Sequence, residues 1–393
     1  MSPILADRPF FRATLTNFFF FLGLNGFILL PLYIRDLGGT EIEIGVVMGL
    51  FNAVGIVCQP LIGPWIDVVG RRPFMLVGVG LIFVSALLAA AVPGIPALAV
   101  VRVLQGVGFS AFFVSNYSYI ADLVPPARRG WALGIFGVSG LLATALAPLL
   151  SEWVIRRLGF QWLFALAAAL ALLAGALVWQ LQERPRQAAP AIGASLWERG
   201  GLDEIFRRHM VLALFFGLGS GTTFVFLPTF AEALGVRTLG LFYTAYAAAA
   251  MGVRIVGGGL IDTRGRRAVI VPSMFVQVVA TAGLAALAFL IGRTSSTPVA
   301  PILFLVGLLS GGAHGYIYPA LGALVIDQTP EARRGVVVGV FSAMFLVGQA
   351  TGSFVFGYVT HALGYGVMWS VLALLLLAGA LASLGLREAR PAT

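Results

Sequence analysis

Apolar runs of about 20 residues, each bounded by a short polar or glycine- and proline-containing segment, follow one another from Phe11 to Leu386. A bilayer's hydrocarbon core is ~30 Å thick and a helix rises ~1.5 Å per residue, so each run is long enough to cross it. The ~10-residue alternation of a membrane β-barrel is absent from these runs. The pattern predicts helices over residues 11–34, 45–66, 74–93, 96–120, 131–150 and 161–180, then 209–230, 238–261, 269–291, 299–325, 336–358 and 365–386. This is an all-α membrane fold of twelve transmembrane helices in two six-helix bundles, residues 1–180 and 209–393. Because each half has an even number of spans, the halves run in the same sense, related by a pseudo-two-fold axis along the membrane normal. Residues 181–208 form the linker, where Glu183, Arg184, Pro185, Arg186 and Pro190 break the apolar pattern. Its later part, with Leu196, Trp197, Leu202, Ile205 and Phe206 among charges, fits either a short amphipathic helix at the membrane surface or a solvated connector.

Composition agrees: 59% of the 393 residues are hydrophobic, 10% are charged and the mean hydropathy is +0.97, too little polar surface to coat a water-soluble globule. The net charge of +9 sits in short loops and not on a stripe, so it speaks for membrane orientation and against nucleic-acid binding. With the amino terminus inside, the inner segments carry 18 arginines and the outer ones 5, with Arg102 and Arg254 inside spans, which accounts for all 25 basic residues. That bias places both termini in the cytoplasm of a multi-pass protein of the cell inner membrane. Asp7, Arg8 and Arg12 precede the first span without a small-residue cleavage site, which reads as an uncleaved first helix. The single Cys58 lies inside a span as a small hydrophobe, and no disulfide, metal cluster or cofactor motif is expected.

Two charged loops are duplicated. Residues 63–73, with Gly63, Asp67, Gly70, Arg71 and Arg72, recur 195 positions later as Gly258, Asp262, Gly265, Arg266 and Arg267. At an offset of 205, Asp122, Pro125, Arg128, Arg129, Gly130 and Gly134 match Asp327, Pro330, Arg333, Arg334, Gly335 and Gly339. Asp67 and Asp262 lie at the ends of helices where a carboxylate meets the negative pole of the helix dipole, so each needs an external partner. Arg71 with Asp122, and Arg266 with Asp327, can supply one. Gly63 and Gly258 suit close helix approach, and Gly70 and Gly265 suit a sharp turn.

The duplicated GxxxDxxGRR loop resembles motif A of the major facilitator superfamily of secondary transporters, and the likeness extends over nearly the whole chain. Arg102, Gln105, Gly106 and Gly108 resemble the RxxQG pattern of its drug and metabolite efflux branch. Gly134, Gly137, Gly140 and Pro148 stand where that branch's antiporters carry a glycine–proline motif, although the residues flanking the proline are Ala or Leu. The resemblance implies an inner gate, with Asp67 meeting span 11 near Gly335 and Asp262 meeting span 5 near Gly130. Arg129 and Arg334 would be gate partners. The alternative is that these charges only set topology.

Inside the spans the ionisable groups are Arg102, Arg254 and His314, and every carboxylate lies near a span end or in a loop. Arg254 is eight residues from Asp262, about 12 Å along a helix, and is read as a gate or structural group, with coupling or substrate contact as the alternative. Arg102 is read as a coupling or anion-attracting charge and His314 as a proton carrier, against the alternative of a neutral hydrogen-bonded histidine. Polar or aromatic residues that can line a cavity include Asn25, Asn116, Tyr117, Tyr243, Tyr246, Tyr316 and Gln349. Glycine faces of spans 5 and 11 read as close-packing surfaces.

The expected function is alternating-access transport of a small amphiphilic organic compound, as proton-coupled efflux by a monomer among membrane lipids. Carriage of an organic anion or lysolipid-like amphiphile, by uniport or with another ion, is the alternative reading, and a non-transporting sensor or receptor is the alternative of another class. No phosphate-binding loop or paired intramembrane carboxylates argue for an enzyme.

Overall fold

The computed structural model describes residues 8–125, 129–183, 204–236, 238–290, 299–327 and 334–386. All regular structure among them is helical: α1 (Arg8–Asn25), α2 (Leu30–Asp36), α3 (Glu41–Val69), α4 (Arg71–Ala91), α5 (Ile95–Leu123), α6 (Arg129–Leu158), α7 (Phe160–Trp179), α8 (Glu204–Ala233), α9 (Gly240–Arg264), α10 (Arg267–Leu290), α11 (Val299–Asp327) and α12 (Arg334–Ser383). Helices α1 and α2 are one crossing, joined by a tighter 3-10 turn at Gly26–Leu29 just before Pro31, which has no N–H to continue an α ladder. Among the described residues, ten stretches have the length and apolar composition to cross a membrane. One of them, Gly339–Ser383, is 45 residues long, twice what one crossing needs, and it turns at Gly364 (φ 78°). Counting it as two, and adding the 25-residue α9, gives the twelve predicted spans.

Turn chemistry explains the sharp loops. Gly70 (φ 114°, ψ 162°) separates α3 from α4, and its repeat counterpart Gly265 (φ 87°, ψ 163°) separates α9 from α10. This backbone region is open essentially to glycine alone. The start of α3 is closed by a capping box, in which the Thr40 N–H and hydroxyl donate to Glu43 Oε2 at 2.8 and 3.0 Å.

The chain forms two compact units, Met1–Leu37 with Leu50–Ser195, and Gly38–Gly49 with Leu196–Thr393. In the first, α4 packs against α5 and α7, and α1 against α6 and α7. Its core contains Phe10, Phe20, Met75, Ile82, Phe112 and Ile120, with Phe20 and Phe112 stacked at 3.7 Å. In the second, α8 packs against α12, α9 against α11, and α10 against both α11 and α12, around Phe216, Ile270, Met274, Ile317 and Phe341. Residues 184–203, most of the predicted linker, lie outside the described residues.

Candidate functional site

The loop between α3 and α4 is a small charged assembly. Arg71 Nε lies 3.0 Å from Asp122 Oδ2 at the end of α5, and its Nη1 donates to the Ile66 carbonyl at 3.3 Å. The Glu183 carboxylate accepts from the backbone N–H groups of both Arg71 and Arg72 at 2.9 Å, capping the positive end of α4. Arg72 donates to the Trp179 carbonyl at 2.7 Å, and its guanidinium lies 5.0 Å from the centre of that indole ring. The second loop repeats this: Arg266 donates to the Ile261 carbonyl at 3.2 Å and Arg267 to the Leu384 carbonyl at 2.9 Å. Ile66 and Ile261 differ by 195, and Trp179 and Leu384 by 205, the two repeat offsets. In each unit the arginine pair thus ties the end of one helix to the last helix of the same half.

The side chains of Asp67, Arg129, Asp262, Asp327 and Arg334, and the surroundings of Gly258, lie outside the described residues, as does Gly130's environment. The close approach expected at Gly63 is not made: a Cβ there would meet nothing within 4 Å. Gly134 and Gly339 are likewise open, whereas Gly348 and Gly352 pack tightly on α8.

Glu183 is the residue of the α3–α4 loop assembly that sequence reasoning left as mere linker. Replacing it by Gln leaves one carbonyl oxygen to serve two N–H groups and removes the charge. A loss of about 0.5–1 kcal/mol is expected at this exposed cap, read as a lower melting temperature in detergent. An unchanged melting temperature would show that the cap carries no weight.

Inside the first unit Arg102 is buried on α5. Its Nη1 donates to Gln105 Oε1 at 2.9 Å, and its guanidinium lies 4.4 Å from the centre of the Phe51 ring on α3. Phe109 lies against Phe51 and Phe21, which extends an aromatic wall. Arg102 Nε and Gln105 Nε2 are buried donors with no partner among the described residues. Gly106, one turn on, makes the approach possible, because a Cβ there would fall 2.8 Å from the Phe51 carbonyl oxygen. The amides of half-buried Asn25 and buried Asn116 donate to Thr144 Oγ1 at 3.0 Å and to the Ala13 carbonyl at 3.5 Å, tying α1 to α6 and α5. Asn17, which the sequence did not single out, donates to Ser139 at 2.9 Å in the same way. Tyr117 is 44% exposed beside Phe113 and Phe136.

The second unit has the same design. Tyr246, the repeat counterpart of Phe51, lies 5.5 Å ring to ring from His314, and Phe216 and Tyr318 lie at 5.1 and 6.4 Å. Gly311 on α11 permits this, since a Cβ there would overlap the Tyr246 backbone. His314 Nδ1 and Gln277 Oε1 are buried without a partner among the described residues. Both border a cavity of about 20 Å³, also lined by Ser220, Thr223, Thr281 and Ser310, with room for about one water molecule. Tyr243 is buried against Phe224 and Phe242. Arg254, eight residues beyond Tyr246 on α9, lies within electrostatic reach of Tyr246, His314 and Tyr318. Tyr316 is half-buried two residues from His314, on another side of α11, and the Gln349 backbone abuts Gly221.

Comparison with known proteins follows the same lines. Over 382 residues the chain is 24% identical to the staphylopine export protein of Staphylococcus aureus, covering 94% of each. Over 357 residues it is 25% identical to the multi-drug resistance efflux pump PmrA of Streptococcus pneumoniae, covering 86% of this chain and 85% of that one. Among solved structures, a mutant form of the nucleoside transporter NupG superposes with a TM-score of 0.81 at 15% identity, over 97% of this chain and 100% of that chain. A D-xylose-proton symporter superposes with a TM-score of 0.77 at 17% identity, over 96% and 97%. At these identities the structures speak for the fold alone. The sequence matches the Major Facilitator Superfamily over residues 13–308 and again over 210–393, so the chain belongs to that superfamily and is a membrane transporter, not an enzyme.

Proposed function

We propose that this transporter exports a small amphiphilic organic compound by alternating access, coupled to a proton gradient. The observation that carries the reading is the pairing, in each unit, of aromatic rings with an ionisable side chain inside apolar helices: Arg102 with Phe51, and His314 with Phe216, Tyr246 and Tyr318. A compound with a flat apolar body and one polar end suits such linings. The export and efflux relatives support the outward direction. The two arginine-tied loops act as gate elements, and the arginine asymmetry supports an inner-membrane protein with both termini cytoplasmic.

His314 is the proton carrier in this reading. The groups facing it are Phe216 from α8, Tyr246 and Arg254 from α9 and Tyr318 from its own helix, with Gln277 of α10 across the small cavity. Charging the imidazole sets a second cation near Arg254, and relief of their repulsion is a force that a conformational change can use. A thermal-shift screen against cationic drugs, organic anions, sugars and lysolipids identifies a substrate, since a ligand at 100 times its dissociation constant stabilises by about 2.7 kcal/mol. In proteoliposomes, His314→Gln is then expected to reduce transport driven by a pH gradient more than it reduces substrate-for-substrate exchange. Full pH-driven transport by that variant rules out His314 as the carrier.

A second reading, carriage of an organic anion, is favoured by Arg102 Nε and Gln105 Nε2. Both are unpartnered donors, and an anion's acceptor oxygens would satisfy them.

A further inference from the structure

An open apolar groove of about 360 Å³ runs between α4 and α7 in the first unit. Leu76, Gly80, Phe83, Leu172 and Gly175 line it, and the Trp179 ring ends it. Gly80 has nothing within 4 Å of where a Cβ would stand, so the missing side chain is part of the groove. At the Trp179 end sits Arg72, its guanidinium 5.0 Å from the centre of the ring. Arg12 reaches the adjoining Gln180 carbonyl at 3.5 Å. Glu183 is held by the backbone N–H groups of Arg71 and Arg72, and no carboxylate among the described residues pairs with the side chain of Arg72.

Depth identifies the occupant. The groove runs along α4 from Leu76 to Phe83, seven residues or about 10 Å, and Arg72 stands about one turn beyond Leu76, so groove and guanidinium together span about 16 Å, half of the ~30 Å hydrocarbon core. An apolar groove that together with the cation at its end reaches one leaflet deep, with an interfacial Trp beside that unneutralised guanidinium, has the layout of a lipid. We propose that it holds an acyl chain of an anionic phospholipid, whose phosphate lies against Arg72, in the leaflet on the side of the α3–α4 loop. The bound headgroup sits on the loop that Arg71 and Arg72 organise, so occupancy tightens the tie between α4 and α7. The linker is a poorer occupant, because its Leu196, Trp197 and Leu202 are spaced among charges and suit the membrane surface, not an apolar groove that descends along two membrane helices.

The test is native mass spectrometry of the full-length protein in detergent with added phosphatidylglycerol or phosphatidylcholine of the same chains, beside melting temperatures. The parent is expected to retain phosphatidylglycerol at least about fivefold better than phosphatidylcholine, since a charge contact near 1 kcal/mol is worth about that factor. Gly80→Leu, which fills the groove from α4, should remove most retention of both lipids. Ala176→Leu, which fills it from α7, should do the same if Gly80→Leu does not fold. Arg72→Gln should abolish the preference between the two lipids while keeping a bound chain, and free inorganic phosphate should not compete. Equal retention of the two lipids by the parent, or unchanged phosphatidylglycerol retention in a folded groove-filled variant, overturns the proposal. So does a change of oligomeric state on filling the groove, which would make a second copy the occupant. If the parent itself retains neither lipid and Gly80→Leu lowers its melting temperature, the linker is the occupant, and that result overturns the proposal too.

Discussion

Arg102→Met is expected to lower apparent substrate affinity, and with it transport, by about tenfold or more, while leaving the protein folded and at least as heat-stable as the parent. Both halves of that expectation come from one environment. Arg102 is 7% exposed, bonded to a neutral amide and set over Phe51, with no carboxylate partner among the described residues. Burying a cation under those terms costs stability, and an unbranched apolar side chain of similar length removes the cost without opening a large cavity. A buried cation that carries that cost is a candidate for use. A hydrogen bond to a charged group is worth about 1.5–3 kcal/mol and 1.4 kcal/mol is a factor of ten, so a substrate whose acceptor meets this guanidinium loses about that much on its removal. Arg102→Lys keeps the charge but not the planar donors, and should recover only part of the activity. A Met variant that transports normally at unchanged stability would reduce Arg102 to a packing residue.

Gly311→Val should be the most damaging substitution for the second unit. Even a single Cβ at this position overlaps the backbone of Tyr246, so α9 and α11 must separate, and backbone cannot move aside as a flexible side chain can. Overpacking usually costs about 1–3 kcal/mol, and a clash with main chain lies at or above the upper end. Separation also draws Tyr246 away from His314, so any folded fraction should be inactive. Gly106→Val, the counterpart at offset 205, should act in the same way through Phe51 and Arg102. The measurement is the melting temperature and the monodisperse yield after detergent extraction. A variant that matches the parent in both would mean that the helices do not cross so closely.

Most of the helical plan was legible because a bilayer sets length and polarity at once, so apolar runs mark crossings and glycines mark the turns between them. The tie from Arg71 to Asp122 was also legible, since both are charges at helix ends on one face. Other features depend on packing between helices far apart in sequence. Glu183 lies 112 positions from Arg71, and only the return of α7 beside α4 brings it to that helix's N–H groups. Phe51 is one phenylalanine among 30 until Gly106 brings its helix close to Arg102. Asn25 and Asn116 show their polarity in the sequence, but their partners on neighbouring helices, Thr144 and Ala13, are set by packing that it does not reveal.

The most direct test of the central claim is flux through the purified protein reconstituted in liposomes, using the compound that raises its melting temperature most. Saturable uptake into inside-acidic vesicles is expected, collapsing when a protonophore dissipates the pH gradient, with exchange of labelled for unlabelled compound persisting. Flux that does not saturate, or that matches empty liposomes while the compound still binds, would contradict transport of that compound and favour a sensor that binds without carrying.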